Sequence, residues 1–357
     1  HSDIGGKTFK IHNSAVRDVA FAPSGDFLVA VDDDGKVVRW SLDDTAQAVL
    51  LGSHRLSVGE VEIIEPPTDI AAETLVLTAS LDATARIWGL QTGSQVAVLG
   101  HDAALSAARF SDAGRRVVTF SARDGTVRLW SIDPVSRLAW HLKHPDHVWD
   151  LAMTAAPEEL APDGDALLLA TAGFDGGVRV WLYGRDGDGA PPTPLPDLGD
   201  RHRDRVRQVS FSDNGRLLAS AGYDGTAHIN DLPTQQSCVL EVTATDGEVY
   251  NALFGPGGRW LLTTSNDAEA PVRLFSPGRC APIDTGDVLR HGDAPVEAAA
   301  VKATTGGALV ATGDDDGVLR LFQVSPAGVW QQRCEQQADV GPVNSIAIAP
   351  DGGLIAV

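Results

Sequence analysis

Histidine, a hydroxyl residue and aspartate recur in that order along the chain, as in His54, Thr78, Asp82 and again in His144, Thr171, Asp175. These are the residue types of a nucleophilic triad, in which a carboxylate orients the base that takes the hydroxyl proton. A triad needs its hydroxyl exposed beside the imidazole, whereas each Ser or Thr here falls inside a short apolar segment that reads as a strand. His141, His144 and His147 carry metal-ligating nitrogens, but a strand and its adjoining loop splay side chains at that spacing instead of converging them on one ion. Asp32-Asp33-Asp34 and Asp314-Asp315-Asp316 lack the alternating Asx spacing and distal Glu of a calcium loop and read as tight turns. A phosphate-cradling Gly-rich loop with Lys and a nucleophile-elbow motif are both missing. The sequence therefore offers no catalytic residues, no metal ligands and no cofactor motif.

What positions these residues is a repeat. In the segment 201–231, RHRDRVRQVSFSDNGRLLASAGYDGTAHIND, a histidine precedes by four residues the strand that opens at Val206. The turn Ser212-Asp213-Asn214-Gly215, a second strand, an Asp224-Gly225 turn and a third strand follow, and SCVLEV supplies a fourth. Each run is short, apolar or β-branched, and bounded by Gly, Asp, Asn or Pro. The order recurs from His12 to Asp34-Gly35 and Trp40, from His54 to Asp82 and Trp88, from His101 to Asp124-Gly125 and Trp130, and from His144 to Asp175-Gly176 and Trp181. In these units the aspartate precedes the third-strand aromatic position by six residues. A sixth unit has Thr245 at the histidine place, Asp267 and Phe275, a seventh has His291, Asp316-Gly317 and Phe322, and an eighth begins at Asp339 and stops after its second strand. Helical three-to-four spacing is absent.

A repeat that runs from a histidine to a third-strand aromatic, with four short strands per period, resembles the WD-repeat family. The resemblance covers the whole chain but is degenerate: Gly100-His101 is the one literal Gly-His pair before a strand, and the third strand never ends in Trp-Asp. It implies an all-β propeller of four-stranded antiparallel blades. Repeats fall at approximately 12–51, 54–99, 101–142, 144–200, 202–243, 245–289 and 291–337, with a partial repeat at 339–357 whose missing outer strand is expected from residues 6–11. Eight blades are expected on that count, with seven as the alternative. The resemblance also implies a hydrogen-bonded tetrad within each blade, complete in His54, Thr78, Asp82, Trp88 and in His144, Thr171, Asp175, Trp181. In it the hydroxyl is bonded to tryptophan, which removes it from nucleophilic work. Ala30 and Phe120 replace the hydroxyl elsewhere, Asn230 replaces the tryptophan, and Phe322 cannot donate a hydrogen bond. The segment Pro191 to Pro196 reads as part of a solvated linker.

Composition narrows the function further. The net charge of −20 repels phosphate backbones and anionic bilayers, so neither nucleic acid nor membrane is expected as a partner. Three widely spaced cysteines suggest reduced thiols and a cytoplasmic protein. Lysine accounts for five of the 28 basic residues, which points to a GC-rich, bacterial genome. Bacterial propellers of this kind resemble the C-terminal recognition or sensor regions of larger signalling proteins, which implies fused domains outside this chain.

The function expected is a non-catalytic protein-interaction scaffold or sensor platform. The alternative is a propeller enzyme, which would gather convergent His, Asp or Glu with shifted pKa values at the channel mouth. A binder would instead show a broad aromatic and arginine surface. The resemblance puts three side chains per blade on the upper rim, and in blades three to six these include Arg123, His147, Trp149, Phe174, Arg205, Arg207, Tyr223 and Tyr250. That basic-aromatic set is expected to bind an acidic or amphipathic segment of a protein partner, or of another domain of the same polypeptide.

Overall fold

The computed structural model describes residues 14–43, 48–121, 123–132, 137–162, 164, 166–184, 192–243, 247–283, 294–325, 329–337, 341–353 and 355–357. Among them, seven sheets of four consecutive antiparallel strands span residues 16–53, 58–100, 107–143, 148–194, 206–241, 249–282 and 296–337, and are blades one to seven. Blade five shows the pattern: Val206–Phe211, Leu217–Gly222, Thr226–Asp231 and Gln236–Glu241. Its second strand is buried almost throughout and its outermost is largely exposed. Stacking buries both faces of the inner strands, so they are apolar without strict alternation.

The apolar core lies between blades. One cluster joins Phe120, Leu129 and Trp140 of blade three to Leu169, Trp181 and Tyr183 of blade four. The Asp-Gly turns tie each blade to the next: the amide of His54 donates to Gly35 (2.8 Å), that of His144 to Gly125 (2.7 Å) and that of His202 to Gly176 (3.2 Å). Glycine is required there. Gly35 has φ +84°, and a Cβ would stand 2.6 Å from the His54 carbonyl oxygen.

The eight-blade expectation is corrected to seven. The trailing unit supplies two short strands, Ala347–Ile348 and Ile355–Ala356, which pair with each other in a two-stranded sheet. This sheet lies between the first strands of blades seven and one and closes the ring, and Ser345 donates to Asp18 at 2.6 Å across the junction. The strand expected at 6–11, with His12, Thr245 and His291, lies outside the described residues.

Two further expectations change. Cys238 and Cys280 form a disulfide with a Cα–Cα distance of 5.9 Å. They sit one repeat apart on neighbouring blades, so wide spacing in sequence becomes adjacency in the ring. The reading of reduced thiols fails for this pair, Cys334 being free, and the cytoplasmic expectation loses that support. Thr193–Pro194 is not linker but the short outermost strand of blade four, pairing with Trp181 and Leu182, where an edge tolerates proline. No helix among the described residues is long and apolar enough to cross a membrane.

Candidate functional site: the upper rim and the networks beneath it

Blade two closes its network completely. His54 donates from Nδ1 to Asp82 (3.2 Å), Thr78 donates to His54 Nε2 (2.8 Å), and the Trp88 indole donates to Thr78 (3.0 Å). Thr84 adds a fifth member, its hydroxyl donating to Asp82 at 2.6 Å and standing 3.2 Å from His54 Nδ1. These bonds hold the Asp82 carboxyl down to about 2 despite burial, and burial depresses His54. Thr78 and Thr171 are wholly buried, so no substrate reaches the hydroxyl of a triad.

Blade four has the same four residue types and a different arrangement. Asp175 turns away from the histidine to Arg179, accepting from both of its terminal nitrogens. His144 Nδ1 is left buried without a partner, and His144 Nε2 stands 3.5 Å from Thr171. Burial drives the imidazole down to about 4. Trp181 meets His144 edge-on, ring centroids 5.3 Å apart. Where Thr84 stands in blade two, blade four has Gly177, with no hydroxyl to hold the aspartate.

Blade three was assigned Phe120 in the hydroxyl place, and this too is corrected. Thr119 donates to His101 (2.6 Å) and accepts from Trp130 (2.7 Å). Its turn is one residue longer, so counting back from Asp124 lands beside the hydroxyl. Thr126 bridges Asp124 (2.6 Å) and His101 (3.3 Å). In blade five Ser220, His202, Asp224 and Thr226 close the network while Asn230 takes the tryptophan place. Sequence reasoning missed this bridging threonine, although Asp-X-Thr recurs at 82–84, 124–126 and 224–226.

His202, Asp224 and His228 bring three ligand atoms within 4.8 Å of one another. The two imidazoles stack, 3.7 Å apart and 17° from parallel, so their in-plane lone pairs run side by side and do not converge. The Thr226 hydroxyl occupies the middle, 2.7 Å from Asp224 and 3.2 Å from each histidine. His228 thus does in blade five what the Arg86 Nε, 3.3 Å from Thr84, does in blade two.

The channel wall gathers carboxylates. Asp18, Glu60, Glu62 and Asp150 are all pushed up by burial, Glu60 to about 7, around the Arg109 guanidinium. Each accepts a backbone N–H of a neighbouring blade: Asp18 from Val61 (2.9 Å), Glu60 from Ala108 (3.1 Å), Glu62 from Phe110 (2.6 Å) and Asp150 from Val209 (3.0 Å). Shifted acids at the mouth are the sign expected of an enzyme, but these lone pairs are used to clasp blade to blade.

On the upper rim, two backbone features aim the side chains. In blades four, five and six the first strand carries a register shift after its first residue, at Val148/Asp150, Val206/Gln208 and Val249/Asn251. The bulged residues are Trp149, Arg207 and Tyr250, freed from the ladder to point elsewhere. The turn residue is then pinned to the residue before the strand: Phe174 donates to His147 (2.9 Å) and Tyr223 to Arg205 (3.0 Å).

The result is a continuous cluster. Trp149 and Phe174 stack at 4.7 Å and 12°, Tyr223 lies 5.7 Å from Trp149, and Tyr250 lies 6.1 Å from Tyr223. His147 joins through Phe174 at 5.3 Å. The Arg205 guanidinium sits among three rings, 4.7 Å from Tyr223 and 5.7 Å from both Trp149 and Phe174, and Arg207 stands 5.5 Å over Trp149. Tyr250 is buried, and its phenol is pushed up by desolvation and Glu248. Seven of the eight expected rim residues thus meet. Arg123 is exposed on the blade-three turn, and no ring contact joins it to them. Trp149, Phe174 and Arg207 also line the channel-mouth cavity of about 550 Å³, with Arg17, Asp18, Glu60 and Asp150.

A closed ring of four-stranded blades with a histidine-hydroxyl-aspartate-tryptophan network is a β-propeller of the WD-repeat type. The family "WD domain, G-beta repeat" matches residues 6–41, 93–131, 134–181 and 197–231, and these segments carry WD repeats. Among the chain's relatives is the guanine nucleotide-binding protein subunit beta of Oryza sativa subsp. japonica, 24% identical over 300 residues, 76% of this chain and 72% of that protein. The apoptotic protease-activating factor 1 of Rattus norvegicus is 26% identical over 218 residues, 59% of this chain and 16% of that protein. The computationally designed Ika8 protein superimposes with a TM-score of 0.71 at 20% identity, covering 96% of this chain and 95% of its own, which shows the fold alone. A plant and a mammalian relative bear out no bacterial origin.

Proposed function

We propose that this propeller is a non-catalytic protein-interaction platform and that its binding surface is the upper rim of blades four to six. The observation that carries the reading is the Trp149, Phe174, Tyr223 and Tyr250 cluster with Arg205 and Arg207 packed onto it. Blade folding does not require these residues on the rim, and Trp, Tyr and Arg dominate interface hot spots. A subunit of a larger assembly and a protein sixfold longer than the matched region among the relatives fit a module that works by contact with other chains or domains. The partner, or a further domain of the same polypeptide, presents an acidic or amphipathic segment to this basic-aromatic face. Trp149→Ala and Arg207→Glu should each weaken the partner complex by about 2 kcal/mol or more while leaving the melting temperature unchanged. The loops joining the first and second strands lie at the opposite rim, and in blade four that loop exposes Glu158; unaltered affinity in both variants, with loss from Glu158→Lys, would place the interface elsewhere.

A further inference from the structure

The upper rim repeats a bulged position and a turn position in blades one, two and four to seven, and blades one and five fill them with opposite consequences. In blade one the bulged residue is Arg17 and the turn residue is Asp33; the guanidinium donates to both carboxylate oxygens, at 2.6 and 2.5 Å, and the pair is neutral. In blade five the bulged residue is Arg207 and the turn residue is Tyr223, so the carboxylate is replaced by a ring. Arg205 stands beside it. Neither Arg205 nor Arg207 has a carboxylate within ion-pair distance among the described residues, in a chain with 48 acidic side chains. By contrast Arg86, Arg128, Arg179, Arg273 and Arg320 each find one on their own blades or linkers.

From this contrast we infer that Arg205 and Arg207, shelved on Trp149 and Tyr223, form a receptor for one phosphoryl group on a side chain of the partner segment. The inference rests on the interaction surface proposed above and names what that surface reads. The rings fix both guanidiniums in place before binding, which lowers the ordering cost of each hydrogen bond made. Arg205 Nε is buried with no acceptor, so this guanidinium is held by ring contacts and not by a carboxylate. Two guanidiniums without an ion-paired carboxylate among the described residues match a phosphoryl group of about −1.5 to −2 at neutral pH better than they match one carboxylate. An extended acidic stretch fits less well. Glu297 lies near Arg207 on the same mouth, its carboxyl raised by burial and by Asp315 and Glu248, and these acids repel negative charge beyond the arginine pair. The anion recognised is therefore compact and doubly charged.

The test is calorimetric titration of the whole chain with degenerate nonapeptide pools of neutral flanks, identical except for a central phosphoserine, phosphothreonine, phosphotyrosine or glutamate, and with inorganic phosphate alone. The expected result is that a phosphorylated pool binds at least about tenfold tighter than the glutamate pool, and that Arg205→Gln and Arg207→Gln each weaken it by about tenfold or more. Melting curves of both variants should match the wild type. The inference is overturned if glutamate and phosphorylated pools bind alike, if neither variant changes binding, or if no pool binds. Equal binding by inorganic phosphate and the pools, an adventitious ion only, overturns it too. If it fails while Trp149→Ala still weakens the partner complex, the interaction surface stands and only its phosphoryl chemistry is wrong. If Trp149→Ala leaves that complex intact, the surface itself is wrong.

Discussion

Blades two and four carry histidine, threonine, aspartate and tryptophan at matching positions and settle them differently. In blade two the aspartate faces the histidine and a continuous chain of bonds runs from Asp82 through His54 and Thr78 to Trp88. In blade four Asp175 pairs with Arg179 and leaves the His144 Nδ1 buried and unpaired. The difference traces to one residue, Thr84 against Gly177. A hydroxyl two residues after the aspartate holds the carboxylate over the imidazole, and glycine lets it swing to the guanidinium. A network in a low-dielectric interior is worth its bonds only when every member is satisfied.

The comparison is broken most severely at the aspartate. Asp82→Ala removes acceptors from His54, Thr84 and the Arg55 amide (3.0 Å) at once; it should cost about 2–3 kcal/mol in denaturant unfolding. Asp175→Ala, whose lost partners are a partly buried arginine and a single amide, should cost about 1 kcal/mol. Equal losses would show that the two networks do not differ as described.

Gly177→Thr sharpens the comparison by giving blade four the missing hydroxyl. Gly177 does not need positive φ, and a Cβ there would meet the Arg179 guanidinium at 2.9 Å and the Asp175 carboxylate at 3.0 Å, both mobile side-chain ends. The variant should gain about 0.5–1 kcal/mol, with the His144 ring proton of Nδ1 newly slowed in exchange. Destabilisation without that protection would remove the bridging role assigned to threonine.

The smallest effect is in pH. His144 is held down to about 4 by burial, so the unfolded chain, with histidine near 6.5, binds the extra proton. Stability should therefore fall as pH drops from about 6.5 towards 4, and His144→Gln should flatten that part of the curve. Below it, Asp82, held to about 2 against 3.8 unfolded, should contribute a second decline that His144→Gln leaves unchanged. An unaltered slope between 6.5 and 4 in the variant would mean that His144 is not buried neutral.

The architecture was readable in sequence because propeller blades are punctuated: Asp-Gly turns need a left-handed glycine and strands need short apolar runs, so each period is marked by chemistry. The rim residues were readable too, since bulge and turn positions keep fixed offsets from those marks. Offsets fail where a turn changes length, and so Thr119 was displaced by Phe120. Residue types alone could not say that Asp175 would choose Arg179, because that choice is made by an absent hydroxyl. The Cys238–Cys280 bond depends on the stacking of consecutive blades, which sets the outer strand of blade five against the turn before the outer strand of blade six.

The central claim, that the upper rim of blades four to six is the binding surface, is tested most directly by amide hydrogen exchange of the chain with and without its bound partner. The account predicts slowed exchange concentrated at 147–150, 173–175, 205–207, 222–224 and 249–251, with the opposite-rim loops at 65–73 and 156–162 unchanged. Protection at those opposite-rim loops, with the upper-rim segments exchanging as in the free chain, would contradict it.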